Sequence, residues 1–310
     1  MNNLNPINQT KLFGLDNYLN ELIRLFNQEK YPNKILFSGQ KGIGKCTLAL
    51  HFINYILTIN QDYKYDIQNF TINTNSPEYK TIQNKTNTNL INIDVDDDKK
   101  SIDINQIRNL IITLNKSSFN NKPRFVLIDN IELLNLNSVN ALLKILEEPN
   151  ENIYFILIHN NKKILPTLLS RCINFRIYLS NKDYLEISRQ LLNDDLNKFI
   201  SNDLINYYFT PGEIYHLIQF SLQNNYDLSK INLKNFLKIL IKDGHYKKNN
   251  FINNMMYNFI EFYFAKLNLS LSKLINEKYS YFVKRIADTK TYNLDKESLF
   301  MEFNEDILND

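Results

Sequence analysis

The sequence predicts an α/β domain with a parallel β-sheet, followed by a segment that contains only helices. Up to about residue 179, apolar runs of strand length alternate with stretches in which apolar residues recur every three or four positions. Such alternation is typical of a parallel sheet that is covered by helices on both faces. Beyond residue 179 no strand-like run remains, and helical patterns follow one another to the end of the chain.

The α/β part has a regular order of elements. Its predicted strands cover residues 34–38, 91–95, 124–129, 153–158 and 173–178. Its predicted helices cover residues 19–26, residues 45 to about 57, a stretch after the N-cap Asp103, and a stretch that Ser138 opens and Pro149 stops. Residues 59–90 are polar and aperiodic, so we expect a long insertion with little regular structure.

The helical part has two clear apolar stripes. The first consists of Phe251, Ile252, Met255, Met256, Phe259, Ile260 and Tyr263, and the second of Leu271, Leu274, Ile275, Phe282 and Ile286. Because a helix of a globular protein buries one apolar face, we expect both stripes to lie in a core.

The composition is that of an ordinary globular protein. Hydrophobic residues make up 44% of the chain and charged residues 22%, and this composition excludes disorder of the whole chain. The length of 310 residues predicts two or three domains. A formal charge of +3 is too small to predict nucleic-acid binding by itself. The two cysteines, Cys46 and Cys172, are too few for a disulfide framework or a zinc site. With no leader-like N-terminus and no apolar run of membrane length, we expect a soluble cytoplasmic protein that contacts no membrane.

A glycine-rich loop follows the first predicted strand and precedes a helix. Residues 39–45 match the G-x-x-x-x-G-K pattern of phosphate-binding loops (P-loops), in which backbone N–H groups surround a phosphate and the lysine reaches the terminal phosphates. The candidate nucleotide-binding residues here are Gly39, Gly42, Gly44, Lys45, Cys46 and Thr47.

The position after the lysine departs from the pattern. Cys46 stands where a Ser or Thr hydroxyl would bind magnesium, and a soft thiol is a poor ligand for that ion. Thr47 points about 100° further around the helix and is no simple replacement. The loop therefore either binds a nucleotide or persists as a folding element, and the sequence leaves both interpretations open.

Asp129 ends an apolar strand and is the last candidate nucleotide-binding residue, because P-loop proteins use such an acid to hold magnesium. In ATPases of the additional-strand type the next residue is usually a Glu that polarises water. Here it is Asn130, and a neutral amide cannot act as a general base. Glu132 follows two residues later, so it does not occupy the position of the general base. The machinery for hydrolysis is therefore incomplete at two positions, Cys46 and Asn130.

Two further segments establish a resemblance to a known family. Residues 140–149 read NALLKILEEP and residues 165–172 read LPTLLSRC, and residues 106–108, Asp129 and the glycine loop occur in the same order and spacing as in that family. Over residues 10–180 the chain resembles the bacterial clamp-loader subunits of DNA polymerase III, and the likeness weakens to about residue 225.

The resemblance implies an AAA+ fold in three parts: a P-loop domain over residues 1–179, a small helical lid over residues 180–224 and a C-terminal helical collar domain over residues 225–310. It implies a heteropentamer with motor and delta sister subunits that opens a sliding clamp and places it on primed DNA. ATP or ADP with magnesium is the ligand that such a fold would take. In the collar, we expect apolar side chains such as Phe236, Phe251, Phe262 and Phe300 to pack partly against sister subunits.

Within that family, the departures favour the delta-prime type, a stator, over an ATP-hydrolysing motor. Cys46 and Asn130 are wrong for a motor, and the turn at residues 210–213 has Glu213 where a motor carries a phosphate-sensing Arg. The resemblance implies that Arg171, in the Ser-Arg-Cys segment, is a catalytic finger that reaches the γ-phosphate of ATP in the neighbouring subunit. A true motor or other ring-forming ATPase is the alternative, and a scaffold unrelated to clamps is a third.

Other candidate sites have weaker patterns. Residues 59–100 contain no cysteine, so the zinc module of many relatives is not expected, and we predict no metal site. The acidic residues Asp94, Asp96, Asp97 and Asp98 lack the Gly and Glu that a calcium loop requires. The pairs at 162–163 (Lys162, Lys163) and 247–248 are interpreted as solvated surface. His159 ends a strand and is either an ordinary loop histidine or a phosphate sensor.

Overall fold

The computed structural model describes residues 4–96, 99–116, 120–147, 152–161, 164–205, 209–267 and 273–309. The chain forms two compact units, Met1–Asn193 with Thr210–Glu213 and Asp194–Phe209 with Ile214–Asp310. The division into three domains at residues 179 and 224 stays a prediction beside this two-unit arrangement. Several residues discussed above lie outside the described ranges: Asp97, Asp98, Pro149, Lys162, Lys163 and Leu271, together with the side chains of Leu274 and Ile275.

The first unit contains a five-stranded sheet whose pairs are all parallel. The strands are β1 (Lys34–Ser38), β2 (Leu90–Ile93), β3 (Arg124–Ile128), β4 (Ile153–His159) and β5 (Ile173–Arg176), and their order is β2-β3-β4-β1-β5. The predicted parallel sheet is confirmed. No strand follows Arg176 in the described part of the chain, as the helical patterns indicated.

Helices cover both faces of this sheet. They are α1 (Asp16–Asn27), α2 (Lys45–Thr58), α3 (Pro77–Gln83), α4 (Ile104–Leu114), α5 (Leu136–Glu147), α6 (Pro166–Leu169) and α7 (Asn181–Leu192). Alternate residues of β1 enter different cores: Ile35 and Phe37 pack with the side of α1 and α2, whereas Leu36 packs with the side of α4 and α5. This alternation is the two-residue period of a strand that is buried on both faces.

The predicted helix start at Asp103 is confirmed, and the start at Ser138 shifts by two residues. The Asp103 carboxylate accepts hydrogen bonds from Asn105 N and Gln106 N, and the Gln106 side chain accepts one from Asp103 N, which forms a capping box. In α5 the amide oxygen of Asn135 accepts from Ser138 N at 2.9 Å, so the helix begins at Leu136.

The expectation of little structure in residues 59–90 was wrong in part. The segment contains α3, which Ser76 caps, and its buried apolar side chains are Tyr65, Ile72, Tyr79 and Ile82. They occur singly, so they produce no periodicity, yet each packs into the same core as α1 and α2. The fully buried His51 connects this segment to the N-terminus, because its Nδ1 pairs with Tyr65 Oη at 2.8 Å and its Nε2 with the Gln9 carbonyl at 3.1 Å.

The second unit is helical in its described residues. Its helices are the greater part of α8 (Pro211–Gln223), α9 (Leu233–Lys242), α10 (His245–Lys248), α11 (Asn250–Leu267), α12 (Lys273–Tyr292) and α13 (Lys296–Phe303), with a π-helical turn at Asn304–Leu308. The apolar stripe of α11 is buried except for the half-buried Phe251, and Phe282 and Ile286 of α12 are buried.

One expectation about this unit is corrected. Phe236, Phe262 and Phe300 are exposed by 0%, 7% and 0%, so they belong to the core of their own unit and leave no surface for a sister subunit. Aromatic neighbours of the same unit surround them, for example Phe259 against Phe236 and Tyr246 against Phe300. None of the helices in the described ranges is both long enough and apolar enough to cross a bilayer.

Candidate functional site: the two ends of the sheet

The glycine-rich loop lies at the carboxyl end of β1. Gly42 and Gly44 have φ values of +85° and +91°, in the left-handed region that favours glycine, and Gly44 is the N-cap of α2. At Gly39, a Cβ atom would lie 2.5 Å from the Ile177 carbonyl oxygen. The structure therefore requires glycine at all three predicted positions, whether or not the loop binds a nucleotide.

Lys45 is turned back into this loop. Its ammonium donates to the carbonyl oxygens of Gly39 at 3.0 Å and Gln40 at 2.5 Å, and the residue is only 3% exposed. Burial lowers the pKa of Lys45 to about 8, although the charges of Asp129 and Glu132 oppose that shift. A phosphate would therefore compete with two backbone carbonyls for this ammonium.

The turn at Thr210–Glu213 packs directly on the loop. Gly212 N donates to the Gly42 carbonyl at 3.0 Å, and a Cβ atom at Gly212 would lie 3.0 Å from both Cα and O of Gly42. A Cβ atom at Gly42 would lie 2.5 Å from Thr210 Oγ1. A Cβ atom at Gly42 or Gly212 would therefore force a neighbouring atom to shift.

Glu213, which stands where a motor carries its sensing Arg, has a clear role in this turn. Its carboxylate accepts from Thr210 N at 2.9 Å and Thr210 Oγ1 at 3.1 Å, while Glu213 N donates to Thr210 Oγ1 at 3.4 Å. This is a capping box at the start of α8. Burial raises the pKa of Glu213 above its ordinary value. The acid serves the helix start that lies against the glycine loop.

Cys46 and Asp129 lie close enough together for each to shift the pKa of the other. The interaction between the Cys46 thiol and the Asp129 carboxylate raises the pKa of the thiol and lowers that of the carboxyl group. Burial, with the nearby charge of Asp94, raises the pKa of Asp129 to about 6, and burial raises the pKa of Cys46 well above its ordinary value. Thr47 occupies the next position of α2 and is half-buried. In the described ranges, no group of three or more His, Cys, Asp or Glu side chains is placed to hold a metal ion.

Sequence reasoning missed a polar network around Asn130. The Asn130 amide donates from Nδ2 to Asp94 Oδ1 at 2.8 Å, and its Oδ1 accepts from Asn160 Nδ2 at 2.8 Å. Asn160 also donates to Glu132 Oε1 at 3.0 Å. The available signal was positional, because Asp94 and Asn160 each follow the end of a strand of the parallel sheet. His159 is the last residue of β4, and both interpretations of its side chain stay predictions.

Arg171 lies at the opposite end of the sheet. It immediately precedes Cys172 and β5, and β5 runs parallel to β1 with Ile173 opposite Ile35. The glycine loop follows the other end of β1, so the four paired positions, about 13 Å of strand, separate the two sites. Arg171 therefore cannot act on a phosphate in its own loop.

The Arg171 guanidinium binds two groups of its own chain. Nη2 pairs with Glu147 Oε1 at 2.5 Å, and Nη1 donates to the Thr167 carbonyl at 3.0 Å. The side chains of Arg171 and Glu147 are 32% and 53% exposed. Three large apolar side chains near Arg171 in the sequence are also exposed: Leu165, Leu169 and Ile173 are exposed by 40%, 41% and 61%. A cation that solvent reaches, with large apolar side chains beside it, is typical of an interface with another chain.

A parallel sheet with this strand order, a glycine loop after β1 and an acid after β3 defines the class: the first unit has the P-loop fold of AAA+ proteins. The family model described as DNA polymerase III, delta subunit, matches residues 14–180, and the chain belongs to this family. The resemblance to clamp-loader subunits of the delta-prime type is thereby confirmed.

Individual relatives are of two kinds. The chain is 41% identical over 85 residues (27% of this chain) to a delta-prime subunit of Buchnera aphidicola subsp. Baizongia pistaciae, and 31% identical over 166 residues (51% of this chain) to that of subsp. Schizaphis graminum. It is 30% identical over 171 residues (55% of this chain) to the gamma/tau subunit of Mycoplasma genitalium. The chain spans 25%, 47% and 27% of the lengths of these three relatives.

Proposed function

We propose that the chain is the stator of a DNA polymerase III clamp loader and donates Arg171 to the ATP site of a neighbouring subunit. The observation that carries the proposal is the placement of Arg171 at the sheet end opposite its own glycine loop, at an exposed, apolar surface. A guanidinium suits this role because it stays charged and offers a planar fork of donors to phosphate oxygens.

In the same proposal, the chain itself does not hydrolyse ATP. Cys46 offers magnesium a thiol in place of a hydroxyl. The side-chain amide of Asn130 is hydrogen-bonded to Asp94 and Asn160. The candidate nucleotide residues Gly39, Gly42, Gly44, Lys45, Cys46, Thr47 and Asp129 would hold ATP or ADP with magnesium only if Lys45 exchanged its contacts with two carbonyls for phosphate.

The proposed partners are the motor and delta sister subunits, and through the complex the sliding clamp and primed DNA in the cytoplasm. The collar, residues 225–310, would join the sister subunits through side chains other than the buried phenylalanines. Large apolar side chains that α12, α13 and the connection between them expose are Tyr281, Val283, Tyr292, Leu294 and Met301.

The test is the DNA-stimulated ATPase rate and clamp loading of reconstituted assemblies that carry Arg171→Ala. An arginine finger is worth about 10³–10⁵ in rate at its own site, and the total rate falls by less because an assembly has several sites. Arg171→Lys should restore little, because an ammonium keeps the charge but not the fork.

Arg189→Ala is the matched control, because Arg189 is also an exposed arginine paired with an acid, Glu186. Its assemblies should hydrolyse ATP at the wild-type rate. If Arg171→Ala assemblies also keep that rate, Arg171 is a surface ion-pair residue and the finger is refuted. Turnover by the isolated chain that Lys45→Ala abolishes would favour the motor alternative.

A further inference from the structure

Arg171 and Glu147 connect the two segments of the chain that carry the family resemblance. Glu147 is the last residue of α5, and Arg171 lies between α6 and β5. Their ion pair measures 2.5 Å between Nη2 and Oε1, and Thr167 accepts from the other terminal nitrogen at 3.0 Å. Both ends of the guanidinium fork, the groups that would bind a phosphate, therefore have partners within this chain.

The position of Glu147 at the carboxyl end of α5 favours pairing of its carboxylate with a cation. A negative charge at the carboxyl end of a helix is unfavourable, because the helix dipole is negative there. Two cations surround this end of α5: Arg171 binds Glu147, and Lys34 Nζ donates to the Leu146 carbonyl at 2.9 Å. Because the Glu147 side chain is 53% exposed, water screens its bond to Arg171, and such pairs are weak enough to exchange.

We infer that Glu147 is an internal competitor for Arg171, which occupies the guanidinium until a phosphate of the neighbouring subunit's ATP displaces it. The inference rests on the proposed finger function and concerns the regulation of that same site. A terminal phosphate carries more charge than a carboxylate and accepts from both ends of the fork, so it replaces Glu147. The two anions cannot share Nη2 at 2.5 Å without repelling each other.

In this inference, the Glu147 carboxylate weakens ATP binding at the neighbouring site, because ATP must displace it from Arg171. Glu147→Gln removes the charge but keeps the size and an acceptor oxygen. In assemblies in which only the adjacent motor subunit can bind ATP, we expect this variant to lower the KM for ATP about two- to five-fold, the range that an exposed ion pair supplies. The kcat stays unchanged, because the released binding energy is the same in the ground and transition states.

Salt provides a second readout. Because salt screens exposed charges, the ratio of the wild-type KM to the Glu147→Gln KM should approach 1 as ionic strength rises. Glu186→Gln is the matched control, since Glu186 is a similarly exposed acid (59%) paired with Arg189 on the same unit. This control should leave the KM and its salt dependence unchanged.

The double variant Glu147→Gln/Arg171→Ala should have the same KM as Arg171→Ala, because the competitor acts only through Arg171. An unchanged KM in Glu147→Gln, or a lower kcat, overturns the inference, and a lower kcat would make Glu147 a positioning residue. These results are distinct from failure of the proposed function, in which Arg171→Ala itself has no effect on hydrolysis.

Discussion

At the carboxyl end of β1, charged side chains are turned into the protein, whereas at the amino end of β5 they face solvent. Lys45 is 3% exposed and bound to two carbonyls of its own loop, and burial raises the pKa of Asp129 to about 6. The Arg171 side chain is 32% exposed, with exposed apolar residues around it. One end of the sheet thus carries a P-loop whose lysine is bound by the loop's own carbonyls. The other end carries an arginine that another molecule can reach.

The difference underlies our proposal that the chain acts through Arg171 and not through its own glycine loop. A loop retained for folding needs its glycines and its buried lysine, and the contacts of Gly39, Gly42 and Lys45 explain these residues without a nucleotide. The exposed ion pair between Arg171 and Glu147 contributes little to the stability of its own chain. In our proposal, the partner of this surface is the neighbouring subunit.

The largest expected effect concerns hydrolysis by the isolated chain. We expect ATP turnover at least about 100-fold below that of a motor subunit, because loss of a general base alone costs about 10²–10⁴ in rate. Cys46→Thr should not restore turnover, because Asn130 would still lack basicity. Steady-state phosphate release measures both, with Lys45→Ala as the blank. Turnover that appears with Cys46→Thr would show that a residue other than Asn130 is decisive.

The second prediction tests the glycine loop by its stability. Gly42→Ala should reduce the free energy of unfolding by about 3 kcal/mol, because the new Cβ needs a left-handed conformation and would lie 2.5 Å from Thr210 Oγ1. Gly244→Ala is the control: its φ is +63°, and its Cβ would meet nothing nearer than Lys247 Cδ at 4.0 Å. Its loss should be about 1 kcal/mol in urea unfolding. Equal losses would mean that Thr210–Glu213 leaves the loop in solution.

The third prediction uses the half-buried carboxylate of Asp129, beside the glycine loop. The folded-state pKa of Asp129, about 6, lies above its ordinary value of 3.8, so the folded state binds the proton more tightly. Wild type should therefore lose about 2 kcal/mol relative to Asp129→Asn as the pH rises from 4 to 8, a value that allows for partial solvent contact. Urea unfolding at several pH values measures the difference. A constant difference would show that Asp129 is solvated.

His51 provides an internal control of opposite sign. Burial lowers its folded-state pKa from 6.5 to about 4, so the unfolded state binds the proton more tightly between these values. Relative to His51→Gln, wild type should lose about 3 kcal/mol as the pH falls from 6.5 to 4.

The smallest effect is expected at the other end of the sheet. Arg171→Ala should change the free energy of unfolding by less than about 1 kcal/mol, because its ion pair with Glu147 is largely exposed. Thermal unfolding of the isolated Arg171→Ala and Gly42→Ala variants compares the loss of stability at the two ends of the sheet. A loss as large as that of Gly42→Ala would make Arg171 a structural residue and remove the distinction.

Local patterns in the sequence predicted the elements of the fold with small errors. The parallel strands, the capped start of α4 and the stripe of α11 follow from periodicities and caps that neighbouring residues specify. Residues 59–90 escaped this reasoning because Tyr65, Ile72, Tyr79 and Ile82 are spaced irregularly, and only their burial beside α1 and α2 shows that they form structure.

By itself, the sequence determined the sheet, the glycine loop and the losses at Cys46 and Asn130, because each is a matter of residue type and spacing within one segment. Only the tertiary structure decided what these side chains contact. Gly212 meets Gly42 across 170 positions of sequence, and Arg171 meets Glu147 across 24. The physical reason is that the direction of a side chain depends on which strands and helices become neighbours. Parallel pairing of β1 with β5 places the loop and Arg171 at opposite ends of one sheet.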